Sequence, residues 1–250
     1  MNKVVVRTIP RTVRITVSEE EMPLSHPLKE SIDSYWHSLM ENGKAFHRGE
    51  VFPIREFTET EKELQVTLHR TDFAHFIYSK HHNLEDPYKC RVVVANALIV
   101  TSDQHVVLGQ MNDVTANPGR VQLIAGGIDA SDVKGNKVDI IGSLIREARE
   151  EVGIDLHDEN TVMKIEPRYF VDWGNIALVY RIELAMDSTE FRAHYELFEK
   201  SLRDKGMIPE FSSIELLPAE PQSVVEFFEK DPRPKVDFLG DVLKRDVGIG

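Results

Sequence analysis

Three glutamates crowd the stretch Arg146-Glu147-Ala148-Arg149-Glu150-Glu151-Val152-Gly153-Ile154-Asp155. On a helix, the i, i+3 and i+4 spacing of Glu147, Glu150 and Glu151 puts them on one face, where they repel each other unless a cation sits among them. The stretch is therefore either a solvated helix, with Arg146 and Glu150 paired across one turn, or one wall of a metal site. A hard dication such as Mg2+ demands near-octahedral oxygen ligands, which carboxylates on a fixed scaffold provide better than carboxylates on a loose loop.

The scaffold is legible around those acids. Ile141, Leu144, Ile145, Ala148 and Val152 recur at helical spacing in IIGSLIREAREEV, which predicts an amphipathic helix whose apolar side lies away from the glutamates. Gly153 is placed to end it. Upstream, NPGRVQLIAGGID reads as a strand bracketed by turn residues, and Gly126 and Gly127 would let main-chain carbonyls approach the same ion.

Residues 146–154 match, position by position, the core R-E-U-x-E-E-x-G-U of the Nudix box, where U is apolar. The chain thus resembles the Nudix hydrolases, which use a divalent metal to cleave a nucleoside diphosphate linked to another moiety. PGRVQLIAGG looks like the strand leading into that box, with Ala125 where proline is common. The family pattern also places a glutamate six positions after the glycine and eight before the arginine. Here the first count reaches Asp132 and the second Val138, beside Asp139, so the loop IDASDVKGNKVD carries an insertion and the first box carboxylate is absent or displaced.

The resemblance implies roles residue by residue. Glu150 and Glu151 would hold Mg2+, or Mn2+ in its place, with a carbonyl of Gly126 adding a ligand. Glu147 would be a further metal ligand or the base for the attacking water, and Arg146 would orient it. A further carboxylate from a downstream loop is common in the family, and Glu210 is the candidate from its place in the order of elements. Asp132 and Asp139 read as turn residues instead. His81 and His82 read as helix-end residues, and Tyr169, Phe170 and Trp173 as strand-end packing or, alternatively, a surface for stacking on a base.

The rest of the chain predicts α/β architecture. The resemblance implies an α/β/α sandwich with a mixed sheet over residues 90–250, preceded by a small α+β domain or extension over residues 1–89. In the first part, VVVRTI and TVRITV have strand composition, PLKESIDSYWHSLMENG has helical spacing through Ile32, Trp36 and Met40, and EVFPIREFTETEKELQVTLHR reads as a hairpin. TDFAHFIYSKHH reads as a helix capped by Thr71 or Asp72. In the second, RVVVANALIVT and HVVLGQM form a buried hairpin, followed by the box region, a strand at NIALVYRIELAM, a helix at STEFRAHYELFEKSLRDKG, a strand at SSIELLP and a helix at PQSVVEFFEK. The longer box loop, the N-terminal region and the tail are similar to the animal UDP-sugar-cleaving branch of the family.

Composition narrows the partners. The 250 residues carry a formal net charge of -12 with 41% hydrophobic and 29% charged side chains, a globular balance that argues against general binding to nucleic acid or anionic membrane and toward a small partner, which the resemblance implies is a small-molecule nucleoside diphosphate. Cys90 is the only cysteine, which excludes an intrachain disulfide and fits a reducing, cytoplasmic setting. Arg7, Arg11 and Arg14 interrupt the N-terminal apolar residues, so no secretory signal is expected there, and no apolar run reaches bilayer-spanning length. The N-terminal region can close over the pocket, supply a base-binding surface or form a homodimer contact, and the sequence leaves all three open.

Overall fold

A computed structural model describes residues 3–44 and 46–249. In chain order its elements are β1 (Val5–Thr8), β2 (Thr12–Glu21), α1 (His26–Glu41), β3 (Glu50–Val51), β4 (Ile54–Glu59), β5 (Glu63–Asp72), α2 (Phe73–His81), β6 (Val93–Val100) and β7 (His105–Met111). There follow β8 (Val121–Gln122), β9 (Ile124–Gly127), a 3-10 turn at Ala130–Asp132, β10 (Val133–Lys134), β11 (Lys137–Val138) and α3 (Ile140–Val152). The chain ends through β12 (Val162–Asp172), β13 (Ile176–Leu184), α4 (Ser188–Asp204), β14 (Phe211–Pro218), α5 (Pro221–Lys230) and α6 (Leu239–Asp246). The mixed α/β class follows directly.

Two compact units result, each discontinuous in sequence. One comprises Met1–Ile9, Ala95–Gly126 and Ile141–Gly250, and the other Pro10–Val94 and Gly127–Ile140. The first unit is built on a sheet in the order β1-β12-β13-β6-β7-β14, with β8 pairing to β7 and β9 to β6. Its central strands are apolar almost throughout: every residue from Ala95 to Val100 is buried, as are Ile176–Tyr180, which requires cover on both faces of the sheet. α5 packs on β14 and on α6, and α6 buries Leu239, Val242 and Leu243.

The second unit has a sheet in the order β10-β11-β2-β5-β3, with β4 pairing to β5. β2 and β5 run parallel, in register from Thr12 opposite Glu63 to Val17 opposite Leu68. The expected hairpin is β4–β5, antiparallel. α1 and α2 share an apolar cluster of Ile32, Trp36 and Ala74, with Met40, Phe46 and Phe73 packed against it. Of the two candidate caps for α2, Asp72 accepts from the His75 amide. The box insertion forms the short hairpin β10–β11, and Lys137 pairs with Thr16 of β2.

Three sequence expectations need correcting. IDASDVKGNKVD, expected as an unpaired polar loop, contains that hairpin, whose strands are too short and too polar to show a periodic signal. The strand β12 extends well beyond the aromatic end that the sequence marks, although Pro167 sits inside it, at a register shift between Pro167 and Tyr169, and proline ordinarily argues against a paired strand. In α3 the expected separation of apolar and acidic sides fails: Leu144, Ala148 and Val152 are buried as expected, but Glu147 and Glu151 are buried too, at 7% and 2% exposure, while Ile141 is 40% exposed.

Candidate active site

Every candidate residue of the acidic helix, together with Gly126 and Glu210, falls in the first unit. α3 ends where Gly153 takes φ +71, a left-handed turn that a side chain would strain. The amide of Ile154 then reaches back to the Ala148 carbonyl at 3.1 Å. The same glycine admits the Phe198 ring of α4, which would lie 2.5 Å from a Cβ at that position. α4 also grips the helix end through His194, whose Nε2 donates to the Val152 carbonyl at 3.1 Å.

Against this fixed helix, β9 supplies two close contacts. The Ala125 amide donates to Glu151 Oε2 at 2.9 Å. A Cβ on Gly126 would lie 1.7 Å from Glu147 Oε1, so only glycine leaves room for that carboxylate. No side-chain pattern could have revealed the Ala125 contact, because the donor is main chain.

Arg146 binds the acids together. Its Nη1 lies 2.7 Å from Glu147 Oε1 and 3.1 Å from Glu150 Oε2, and its Nη2 donates to Ser143 Oγ at 3.5 Å. The Arg146–Glu150 pair required by the plain solvated-helix reading is therefore present. That reading does not account for the two buried carboxylates beside it, since a buried charge without a full complement of partners is costly. Glu150 itself is well exposed, at 59% of its side chain.

Burial dominates the titration of these groups. It pushes the Glu147 carboxyl up to about 7, with Glu210 and Glu150 adding to the rise and Arg146 opposing it. Glu151 is raised well above the carboxylate range, first by burial, then by Glu210 and Glu147, and the Ala125 amide offsets only part of this. Glu210 is raised by burial and by Glu150, with Arg146 opposing. Solvent still reaches the Glu210 side chain, so protein surrounds the group without sealing it and its shift matters less than those of the helix acids. The loop bearing Glu210 is pinned by its carbonyl, which accepts from the Asn112 amide at 2.8 Å. Four carboxylates, Glu147, Glu150, Glu151 and Glu210, thus share one field.

An all-oxygen donor set suits a hard dication. Glu151 Oε1 is buried with no hydrogen-bond partner, an arrangement that a cation would satisfy. Among the described residues, no three His, Cys, Asp or Glu side chains already converge as a ligand shell, and Arg146 supplies countercharge within the cluster.

The other residues singled out from the sequence have structural roles. Asp132 is buried, and its carboxylate accepts from the Asp129 amide in a reciprocal cap, while Asp139 pairs with Lys134. His81 Nδ1 meets the Tyr35 hydroxyl at 2.6 Å, and His82 Nδ1 meets the Tyr78 carbonyl. Tyr169 and Phe170 are buried in the core, and Trp173 lies against Phe238 with ring centroids 4.6 Å apart.

No protein-family model and no curated protein matches the chain. Several solved structures do. DR0079 from Deinococcus radiodurans is 14% identical with a TM-score of 0.39, over 62% of this chain and 81% of that one. The MutT protein from Methanosarcina mazei is 12% identical with a TM-score of 0.37, over 65% of this chain and 95% of that one. An Ap4A hydrolase from C. elegans is 15% identical with a TM-score of 0.36, over 62% of this chain and 93% of that one. Likeness at this level assigns neither a family nor a substrate.

Proposed function

We propose that the chain is a Mg2+-dependent Nudix pyrophosphohydrolase that cleaves the diphosphate of a nucleoside diphosphate sugar to a nucleoside monophosphate and a sugar phosphate. The observation that carries the reading is the burial of Glu147 and Glu151 on one helix, with Glu151 Oε1 unpartnered, inside a matched box core. Mutually repelling carboxylates held away from water are a liability to a protein that binds no cation. The catalytic portion falls within residues 90–250, with β1 completing its sheet, and the rest of residues 1–89 form an accessory region.

Glu150, Glu151 and the Gly126 carbonyl would hold the metal, with Glu147 either a further ligand or the base for the attacking water. A bound dication supplies charge neutralisation at the diphosphate and lowers the pKa of attacking water. The protein supplies the rest. A Glu147 carboxyl pushed up to about 7 suits a group that takes a proton near neutral pH, and Arg146 at 2.7 Å fixes its orientation. Glu210, in the same field, serves as a second acidic group at the rim.

UDP-glucose is the first substrate to test. ADP-ribose or a dinucleotide fits the same site equally, because the carboxylates address metal and diphosphate and not the base. Cys90 is buried and its thiol is raised far above the usual range by desolvation, which suits a chain working reduced in the cytoplasm. The deciding experiment is product analysis of purified protein with Mg2+ on UDP-glucose, ADP-ribose and a dinucleoside polyphosphate. Release of UMP with a sugar phosphate supports the reading, and release of AMP moves the substrate to the adenine nucleotides. No cleavage of any compound, with a melting shift from one of them, would replace the enzyme with a nucleotide sensor, a role that the displaced first box carboxylate keeps open.

A further inference from the structure

Two buried polar atoms lack hydrogen-bond partners near the end of α3: Glu151 Oε1 and the hydroxyl of Tyr195. Tyr195 is 4% exposed and lies on α4 between the two residues that clasp α3, His194 on the Val152 carbonyl and Phe198 over Gly153. Three residues before Phe198, with ring centroids 6.2 Å apart, it flanks the helix face that meets the C-terminal turn carrying Glu151. The two groups also share a field. The Tyr195 hydroxyl is pushed up to about 12 by burial, then by Glu199 and Glu151, with Arg203 opposing. Glu199 is already held by Arg203 at 2.9 Å. Donor and acceptor match, since a phenol donates one hydrogen and a carboxylate oxygen has lone pairs for both a hydrogen bond and a cation.

We propose that Tyr195 is the positioning residue for Glu151, its phenol donating to Oε1 through one water and so fixing the carboxylate for a divalent ion. This rests on the metal-site reading above. Residues that orient a ligating carboxylate typically change metal affinity by about 10–100-fold when removed, and none of the sequence patterns around Tyr195 signals such a role.

Mn2+ binding to metal-stripped protein, followed by electron paramagnetic resonance, tests the proposal without turnover. Tyr195→Phe is expected to weaken Mn2+ binding roughly tenfold while its melting temperature in EDTA stays near wild type. Phe198→Leu, which disturbs the same clasp but keeps the hydroxyl, is expected to bind Mn2+ as wild type does. Unchanged affinity in Tyr195→Phe, or equal weakening in Phe198→Leu, overturns the proposal. Glu151→Gln separates the two readings: if it binds Mn2+ as tightly as wild type, the metal site itself is misassigned, whereas loss there with Tyr195→Phe intact removes only the role of Tyr195. Should Tyr195→Phe not fold, Mn2+ added to wild type is expected to give a tyrosine ultraviolet difference spectrum that Glu151→Gln lacks, and no such spectrum overturns the proposal.

Discussion

Glu147 occupies the space that a side chain at Gly126 would need: a Cβ there would lie 1.7 Å from Oε1 and 1.9 Å from Cδ. The atoms in the way are the far end of a glutamate, and that end is also held by Arg146. An added methyl can therefore be accommodated only by turning the carboxylate away from β9.

Gly126→Ala is accordingly expected to fold, with a stability loss of about 1–3 kcal/mol from overpacking. Turnover should fall far more than stability. Steady-state kinetics beside a melting curve checks this, and a variant with wild-type kcat/KM would show that the position of Glu147 is immaterial.

Raised carboxyls make the metal-free protein sensitive to alkali. The Glu147 carboxyl moves from 4.5 to about 7 on folding, so the folded state holds its proton more tightly than the unfolded chain. Its stabilising contribution is full below pH 4.5 and is lost as pH rises through about 7, on the order of 3 kcal/mol. Glu151 extends the loss to higher pH. In EDTA, Glu147→Gln should melt above wild type at pH 8 and lose that advantage toward pH 5. Parallel pH profiles for the two proteins would refute the coupling.

Glu151→Gln removes a buried charge while keeping a side chain that accepts from the Ala125 amide. The variant is expected to remain folded, to match or exceed wild-type stability in EDTA at pH 8, and to lose turnover by more than ~100-fold, since loss of a direct ligand should exceed loss of a supporting group. Wild-type activity with Mg2+ would remove Glu151 from the metal site.

Far along the chain, Asp246 at the end of α6 is 2% exposed at its side chain and pairs with Arg168 at 3.4 Å and with Arg181. It also accepts from the Tyr169 hydroxyl at 3.1 Å. Asp246→Ala leaves two guanidiniums facing an emptied site and should cost about 3 kcal/mol, or roughly 6–12 °C in melting temperature. Activity of the folded fraction should be unchanged, as measured below the transition.

The sequence alone carried α1, α2, α4, β6, β7 and the acidic helix, because each has a long periodic pattern or a cap of fixed chemistry. It also carried the identity of the acids, since spacing on a helix follows from 3.6 residues per turn. Burial was decided elsewhere. A glutamate buried beside a cation and one exposed to solvent are the same letter, and only the approach of β9 and α4 to α3 distinguishes Glu147 and Glu151 from Glu150. The hairpin within residues 133–138 and the strand through Pro167 were likewise invisible, the first because its two-residue polar strands carry no periodic signal and the second because a proline interrupts its pattern. Local residue order sets which groups lie on a face. Where that face meets low dielectric is a property of the packed chain, and from that come the raised carboxyls and the unpartnered oxygen on which the proposed chemistry depends.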